Sequence, residues 1–204
     1  MKKTLILLAL APMALFGQAT SVSKLQNSAD KSSQVLSKGS AHGDSPVHWV
    51  SFMEAVELQK TNPKKIMVDV YTKWCGPCKM MSANTFTDDE VSKYLNDNYY
   101  AVKFDAESAD TIVFNGYTFA NPEYNPASTG RNAVHQLTQY LNVNAYPTLV
   151  FFDEKAQYLG PVSGYRTPSQ IELFLKFFSE GKYMNIKTQE EWQAYESSFV
   201  PTWN

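Results

Sequence analysis

Ile66-Met67-Val68-Asp69-Val70-Tyr71-Thr72-Lys73-Trp74-Cys75-Gly76-Pro77-Cys78-Lys79-Met80-Met81 changes its period partway along. Ile66 to Tyr71 is an apolar, branched run with one acidic interruption, Asp69, which is the pattern of a buried central strand. Pro77 then stands where the first turn of a helix tolerates proline, and long helix formers follow it. The cysteines at 75 and 78 therefore fall at a strand-to-helix junction. Unpaired amides and the helix dipole at such an N-terminus favour a thiolate at the first cysteine, lowering its pKa from about 8.5 to about 7 or below in motifs of this kind. Cys75 is the predicted nucleophile. Cys78, one turn deeper and shielded, is placed to attack a mixed disulfide formed at Cys75 and release the product. Gly76-Pro77 is expected to tighten the turn and hold the two sulfurs within bridging distance.

Cys75 and Cys78 are the only cysteines among 204 residues, so no disulfide scaffold exists and none is needed at this length. Half of a zinc site is the competing reading of the pair. It fails for want of a second cysteine pair, and His42, His48 and His135 lack ligand spacing, so no metal or other cofactor is expected beyond the redox-active disulfide itself. The three histidines read as surface or packing residues. The composition, 44% hydrophobic and 19% charged, suits one compact domain, and 18 Lys+Arg against 20 Asp+Glu gives a charge of -2. Lys and Arg never run beyond two in succession, which argues against a nucleic-acid partner.

The N-terminus reads separately. Lys2 and Lys3 precede an apolar stretch from Leu5 to Phe16, too short to span a bilayer, and Gly17-Gln18-Ala19 offers small residues for cleavage after Ala19. Residues 1–19 are expected to be a secretory signal and the protein to be periplasmic or otherwise exported. No cysteine near the cleavage point supports a lipid anchor. Export sharpens the meaning of the cysteines, because idle exposed thiols are lost in an oxidising compartment and a retained pair reads as a working redox couple.

Residues 20–45, rich in Ser, Lys, Gln and Gly, read as a flexible linker, followed by a domain over 46–182 and an extension over 183–204. Ser51 and Glu54 form a capping box for a helix with Phe52, Ala55, Val56 and Gln59 on one face, ended by Asn62-Pro63. Thr87 and Glu90 read as a second box, opening a helix with Val91, Tyr94 and Leu95 inward, before a strand from Tyr99 to Phe104. Residues 107–131 interrupt this rhythm with Asn, Pro, Gly and the aromatics Tyr117, Phe119 and Tyr124, and are expected to form a long loop packed on itself. A helix over Val134, Leu137 and Leu141 follows. Next come strands Thr148 to Phe152 and Tyr158 to Ser163. Thr167-Pro168 opens a core helix with Ile171, Phe174, Leu175 and Phe178, and a last helix is appended near Gln189 to Ser197.

Around Trp74-Cys75-Gly76-Pro77-Cys78-Lys79 the sequence resembles the thioredoxin family, over roughly residues 48 to 180. The resemblance implies an α/β thioredoxin-like fold: a central mixed sheet flanked by helices, with an insertion before the cis-proline helix and a C-terminal extension. It implies that Asp69 is a buried acid assisting proton removal from Cys78, and that Trp74, Gly76 and Pro77 tune the redox pair. Tyr146-Pro147-Thr148 looks like the family's cis-proline turn, and Gly164 like the glycine of the same substrate groove. Asn84 to Val91 looks like exported members of the family, including the reductase domain of transmembrane electron conduits. Three departures stand out. Ala83 replaces the proline that kinks the active-site helix, so a straighter helix is expected. Tyr146 replaces a smaller aliphatic residue. Lys103 is one residue out of phase with Asp105 for the lysine that neighbours the buried acid, so that role is not carried over to it.

The implied function is reduction of disulfides in protein substrates, since Gly-Pro between the cysteines resembles reducing members, with electrons supplied by a membrane redox partner. An oxidant, a helper in cytochrome maturation, and a client-binding module or chaperone without turnover are the alternatives.

Overall fold

Ile66, Met67, Val68, Val70 and Tyr71 make the strand Lys65–Tyr71 (β2) largely apolar, and both of its edges are occupied by neighbouring strands. This places it at the centre of a five-stranded sheet in the computed structural model, which describes residues 45–204. The proposed signal, its cleavage point, His42 and nearly all of the linker lie outside the described residues.

In chain order the elements are β1 (Trp49–Val50), α1 (Phe52–Thr61), β2, α2 (Gly76–Asn84), α3 (Asp89–Asn98) and β3 (Tyr99–Asp105). These are followed by β4 (Ile112–Phe114), β5 (Tyr117–Phe119), α4 (Gln136–Tyr140), β6 (Thr148–Phe152), β7 (Tyr158–Ser163), α5 (Pro168–Ser179) and α6 (Gln189–Ser198). The sheet order is β1-β3-β2-β6-β7. β1 and β2 run parallel to β3, whereas β6 runs antiparallel to both β2 and β7. The sheet is therefore mixed, with helices on both faces.

Strand alternation divides the core. Met67, Ala101, Leu149 and Phe151 pack with Met81 of α2, Val91 and Leu95 of α3, and Ile171 and Leu175 of α5. Ile66, Val68, Val70, Val102, Phe104, Val150 and Phe152 face the opposite way, toward Phe52 and Ala55 of α1 and Leu137 of α4. Asp69 and Lys103 belong by the same alternation to the α2 face.

Four sequence expectations change. Residues 107–131 are not merely a loop packed on itself: β4 and β5 form an antiparallel hairpin whose Phe114 and Phe119 join the core against Phe52 and Phe152. Asn115 and Gly116, with φ of 51° and 78°, supply the left-handed turn that a two-residue hairpin demands. The cap of α3 is Asp88, whose carboxylate accepts from the amides of Glu90 and Val91, while Thr87 donates back to Ala83 O. The active-site helix does not run on straight past Ala83. It stops at Asn84, because buried Thr85 turns its hydroxyl to Arg166 O and Asp88 starts a new helix. Val134 lies outside α4, which is capped by buried His135 through its Nδ1.

The C-terminal segment is fastened to α5. Trp192 of α6 stacks on Phe174, with ring centroids 5.7 Å apart, and Trp203 is buried against Tyr94. The fully buried carboxylate of Glu172 accepts from the amides of Thr202 and Trp203, from the Thr202 hydroxyl and from Lys176 Nζ. Among the described residues no helix is long and apolar enough to cross a membrane.

Candidate active site

β2 ends at Tyr71, and Cys75 N donates to Thr72 O at 3.1 Å to make the turn into α2. Cys75 is the N-cap of that helix: its Sγ accepts from Cys78 N at 3.1 Å, and Pro77 lies in the first turn, where a missing amide costs nothing. Cys75 and Cys78 form a disulfide with Cα atoms 5.3 Å apart. Burial does not separate them, since the cysteines are 3% and 4% exposed. The bond holds both sulfurs against the fold, and what distinguishes Cys75 is its capping position. A Cβ at Gly76 would meet nothing within 4 Å, so the turn does not require glycine there. Its effect is to keep the surface beside Cys75 low.

The Tyr146–Pro147 peptide bond is cis. Gly164 N donates to Pro147 O at 2.8 Å, and Thr148 Oγ1 lies 2.8 Å from Ala145 O and 3.0 Å from Ser163 Oγ, so β6, β7 and the proline turn are tied together. Gly164 has φ +92°, a conformation that side chains resist. Tyr146 is brought to the cysteine loop by an edge contact with Trp74, centroids 5.9 Å apart. Burial, then the charges of Glu107 and Asp105, push the Tyr146 phenol upward, so it stays neutral at physiological pH.

Two residues that sequence reasoning missed organise Trp74. Glu107, buried at the start of the inserted segment, accepts from Trp74 Nε1 at 2.9 Å and from Asn132 N at 3.0 Å. Arg131, at its far end, lays its guanidinium over the Trp74 ring with Cζ 4.1 Å from the centroid. Their separation in sequence from Trp74 left no local pattern to read.

Asp69 is buried, and its place beside Lys103 is a correction. Counting along the chain argued against that lysine, but the register of β2 and β3 sets Asp69 directly opposite Lys103. Lys103 Nζ lies 3.7 Å from Asp69 Oδ2 and donates to Ser82 Oγ at 2.6 Å, while Asp69 Oδ1 has no hydrogen-bond partner among the described residues. Burial raises the Asp69 pKa from its ordinary 3.8 to about 6, and the nearby Lys103 charge offsets only part of this. Cys78 and Lys103 both line an open cleft of about 460 Å³ with Tyr71, Thr72 and Ser82.

Because the folded-state pKa of Asp69 lies above its unfolded value, the folded state binds the extra proton between them. Stability from this source is full below pH 3.8 and is lost as pH rises toward about 6. Asp69→Asn is therefore expected to stabilise the oxidised protein by up to about 3 kcal/mol at pH 8, and the gain should close below pH 4. Urea unfolding at the two pH values checks this; a gain of equal size at both would show that ionisation is not its source.

No group of three His, Cys, Asp or Glu side chains among the described residues is arranged to hold a metal. Residues 52–179 match the family of thioredoxin-like domains. The Escherichia coli K12 thiol:disulfide interchange protein DsbD is 31% identical over 100 residues, covering 49% of this chain. An uncharacterized Caenorhabditis elegans protein is 33% identical over 108 residues, covering 52%. The matched segment is only 14% of the length of each relative. A thioredoxin-fold protein from Helicobacter pylori superposes with a TM-score of 0.51 at 17% identity, over 67% of this chain and 82% of that one, which is a likeness of fold.

Proposed function

We propose, since the chain belongs to the thioredoxin-like domain family, that it is a thiol-disulfide oxidoreductase that reduces protein disulfides through Cys75. The observation that carries this reading is a bonded Cys75–Cys78 pair at the N-cap of α2, beside a cis-proline turn. In the reduced form the Cys78 amide that now donates to Cys75 Sγ, with the helix N-terminus around it, favours the Cys75 thiolate. That thiolate attacks one sulfur of the client disulfide, forming a Cys75–client disulfide and expelling the other client sulfur as a thiolate. Cys78, deprotonated, then attacks Cys75 Sγ, forming the Cys75–Cys78 disulfide and expelling the second client thiolate. Two electrons pass to the client, and its two thiolates take up protons. Asp69, whose pKa burial raises to about 6, serves as the base for the Cys78 proton; Lys103, its ion-pair partner, lines the same cleft as Cys78.

Trp74 and Tyr146 flank the entry, and the backbone from Tyr146 to Thr148 and Gly164 receives an extended client segment. Residues 1–19 act as an export signal, and a membrane redox partner returns the pair to its dithiol state. The similarity to a thiol:disulfide interchange protein supports the exchange chemistry, and the direction of flow rests on the Gly76-Pro77 pair between the cysteines. Equilibration with glutathione buffers tests it. A potential near about −270 mV is expected of a reductase; one near about −120 mV would make the protein an oxidant that introduces disulfides.

A further inference from the structure

Several of the charges near the disulfide are engaged with one another. Lys73 is paired with Asp105 at 3.3 Å, and Lys103 is committed to Asp69 and Ser82. Two of the nearby acids are engaged as well: Asp105 accepts from Glu107 N, and Glu107 holds Trp74 and Asn132. Two cations remain. Lys79, exposed on the first turns of α2, has no hydrogen bond or ion pair at its ammonium among the described residues, and neither does the guanidinium of exposed Arg131.

Arg131 is not a loosely tethered charge. Its guanidinium rests on the indole of Trp74, the residue joined to Cys75, and Glu107 fixes that indole from the side. The guanidinium held over the ring in this way uses none of its N–H groups in a hydrogen bond among the described residues, so its donors stay available to a carboxylate, which a guanidinium can bind in bidentate fashion. The backbone that carries it is held too: Asn132 N donates to Glu107, and Ser128 Oγ donates to Arg131 O.

We infer that Arg131, assisted by Lys79, selects clients that carry an aspartate or glutamate beside the disulfide cysteine that Cys75 attacks. This rests on the reductase reading above and names its substrate class. The carboxylate meets the Arg131 fork while the client sulfur lies over Cys75, so the pairing raises the rate of encounter and fixes which client sulfur is presented.

The test uses three disulfide-bonded peptides that differ only in Glu, Gln or Lys next to one cysteine, with the full chain reduced beforehand by dithiothreitol. The ratio of the second-order rate constants for single reduction of the Glu peptide over the Gln peptide is expected to be roughly threefold to tenfold at low ionic strength, and to fall below about twofold at 0.5 M salt. The Lys peptide should be the slowest. Arg131→Gln should bring the Glu/Gln ratio close to one, and Arg131→Lys should restore part of it, because the charge returns without the fork. Equal rates for the Glu and Gln peptides, or a preference that survives in an Arg131→Gln, Lys79→Gln protein, would overturn the inference. Failure to reduce even the Gln peptide would instead overturn the reductase reading beneath it.

Discussion

Cys75→Ser is expected to slow reduction of insulin disulfides by roughly a thousandfold or more, with the circular dichroism spectrum unchanged. A serine hydroxyl at the cap of α2 still accepts the Cys78 amide, so the local turn survives. Its oxygen has neither the acidity nor the nucleophilicity to open a sulfur–sulfur bond at neutral pH, and it cannot form the covalent intermediate. Cys78 does not substitute, because it lies within the first turn of α2 and lacks the capping position that favours a thiolate at Cys75. A variant that kept more than a tenth of the activity would remove Cys75 from the mechanism. One that lost turnover yet still suppressed aggregation of unfolded protein would show a client-binding role alongside the chemistry.

The second large effect lies far from the disulfide. Glu172→Ala is expected to cost about 3–5 kcal/mol, because it leaves the Lys176 ammonium, the Thr202 hydroxyl and two backbone amides without their shared acceptor. Burial alone would raise the Glu172 pKa, but the donors from Lys176, Thr202 and Trp203 outweigh it and hold the carboxyl below its ordinary range. A depressed carboxylate contributes stability in full above its unfolded pKa, and that contribution is lost as pH falls through the folded value. Glu172→Gln should therefore be clearly destabilised at pH 7 and approach the parent protein as the medium becomes acidic. Denaturant unfolding followed by tryptophan fluorescence reads both, since Trp203 is released with the C-terminus. Unchanged midpoints at pH 7 would mean that this carboxylate does not anchor the tail.

Asp69 and Glu172 are both buried acids, and the contrast between them shows what could be read from the sequence. Asp69 stands out in an apolar strand, so its unusual burial was legible. Its partner was not, because whether Lys103 faces it depends on the register between β2 and β3, a relation that counting along the chain does not contain. Glu172 falls between Ile171 and Leu175, where a helical pattern reads an acid as solvated. Only the return of Thr202 and Trp203 from the far end of the chain makes it interior.

The strand-to-helix junction at Cys75 and the cap at Thr167 were legible because their signals are local: a period change, a proline in the first turn, a paired capping residue. The hairpin in the inserted segment carried a local signal as well, Asn115-Gly116 between short alternating runs, but the surrounding Asn, Pro and Gly residues obscured it. The hold of Glu107 and Arg131 on Trp74 had none. Three separated segments meet at that indole, and only the fold brings them together.

The central claim is that Cys75 forms a covalent bond with its client and Cys78 releases it. Intact mass under non-reducing conditions, measured on reduced Cys78→Ala protein after incubation with oxidised insulin, tests this directly. The account predicts a one-to-one adduct joined through Cys75, discharged by dithiothreitol and absent when Cys75 is also alanine. No adduct, or an adduct that persists without Cys75, would contradict it.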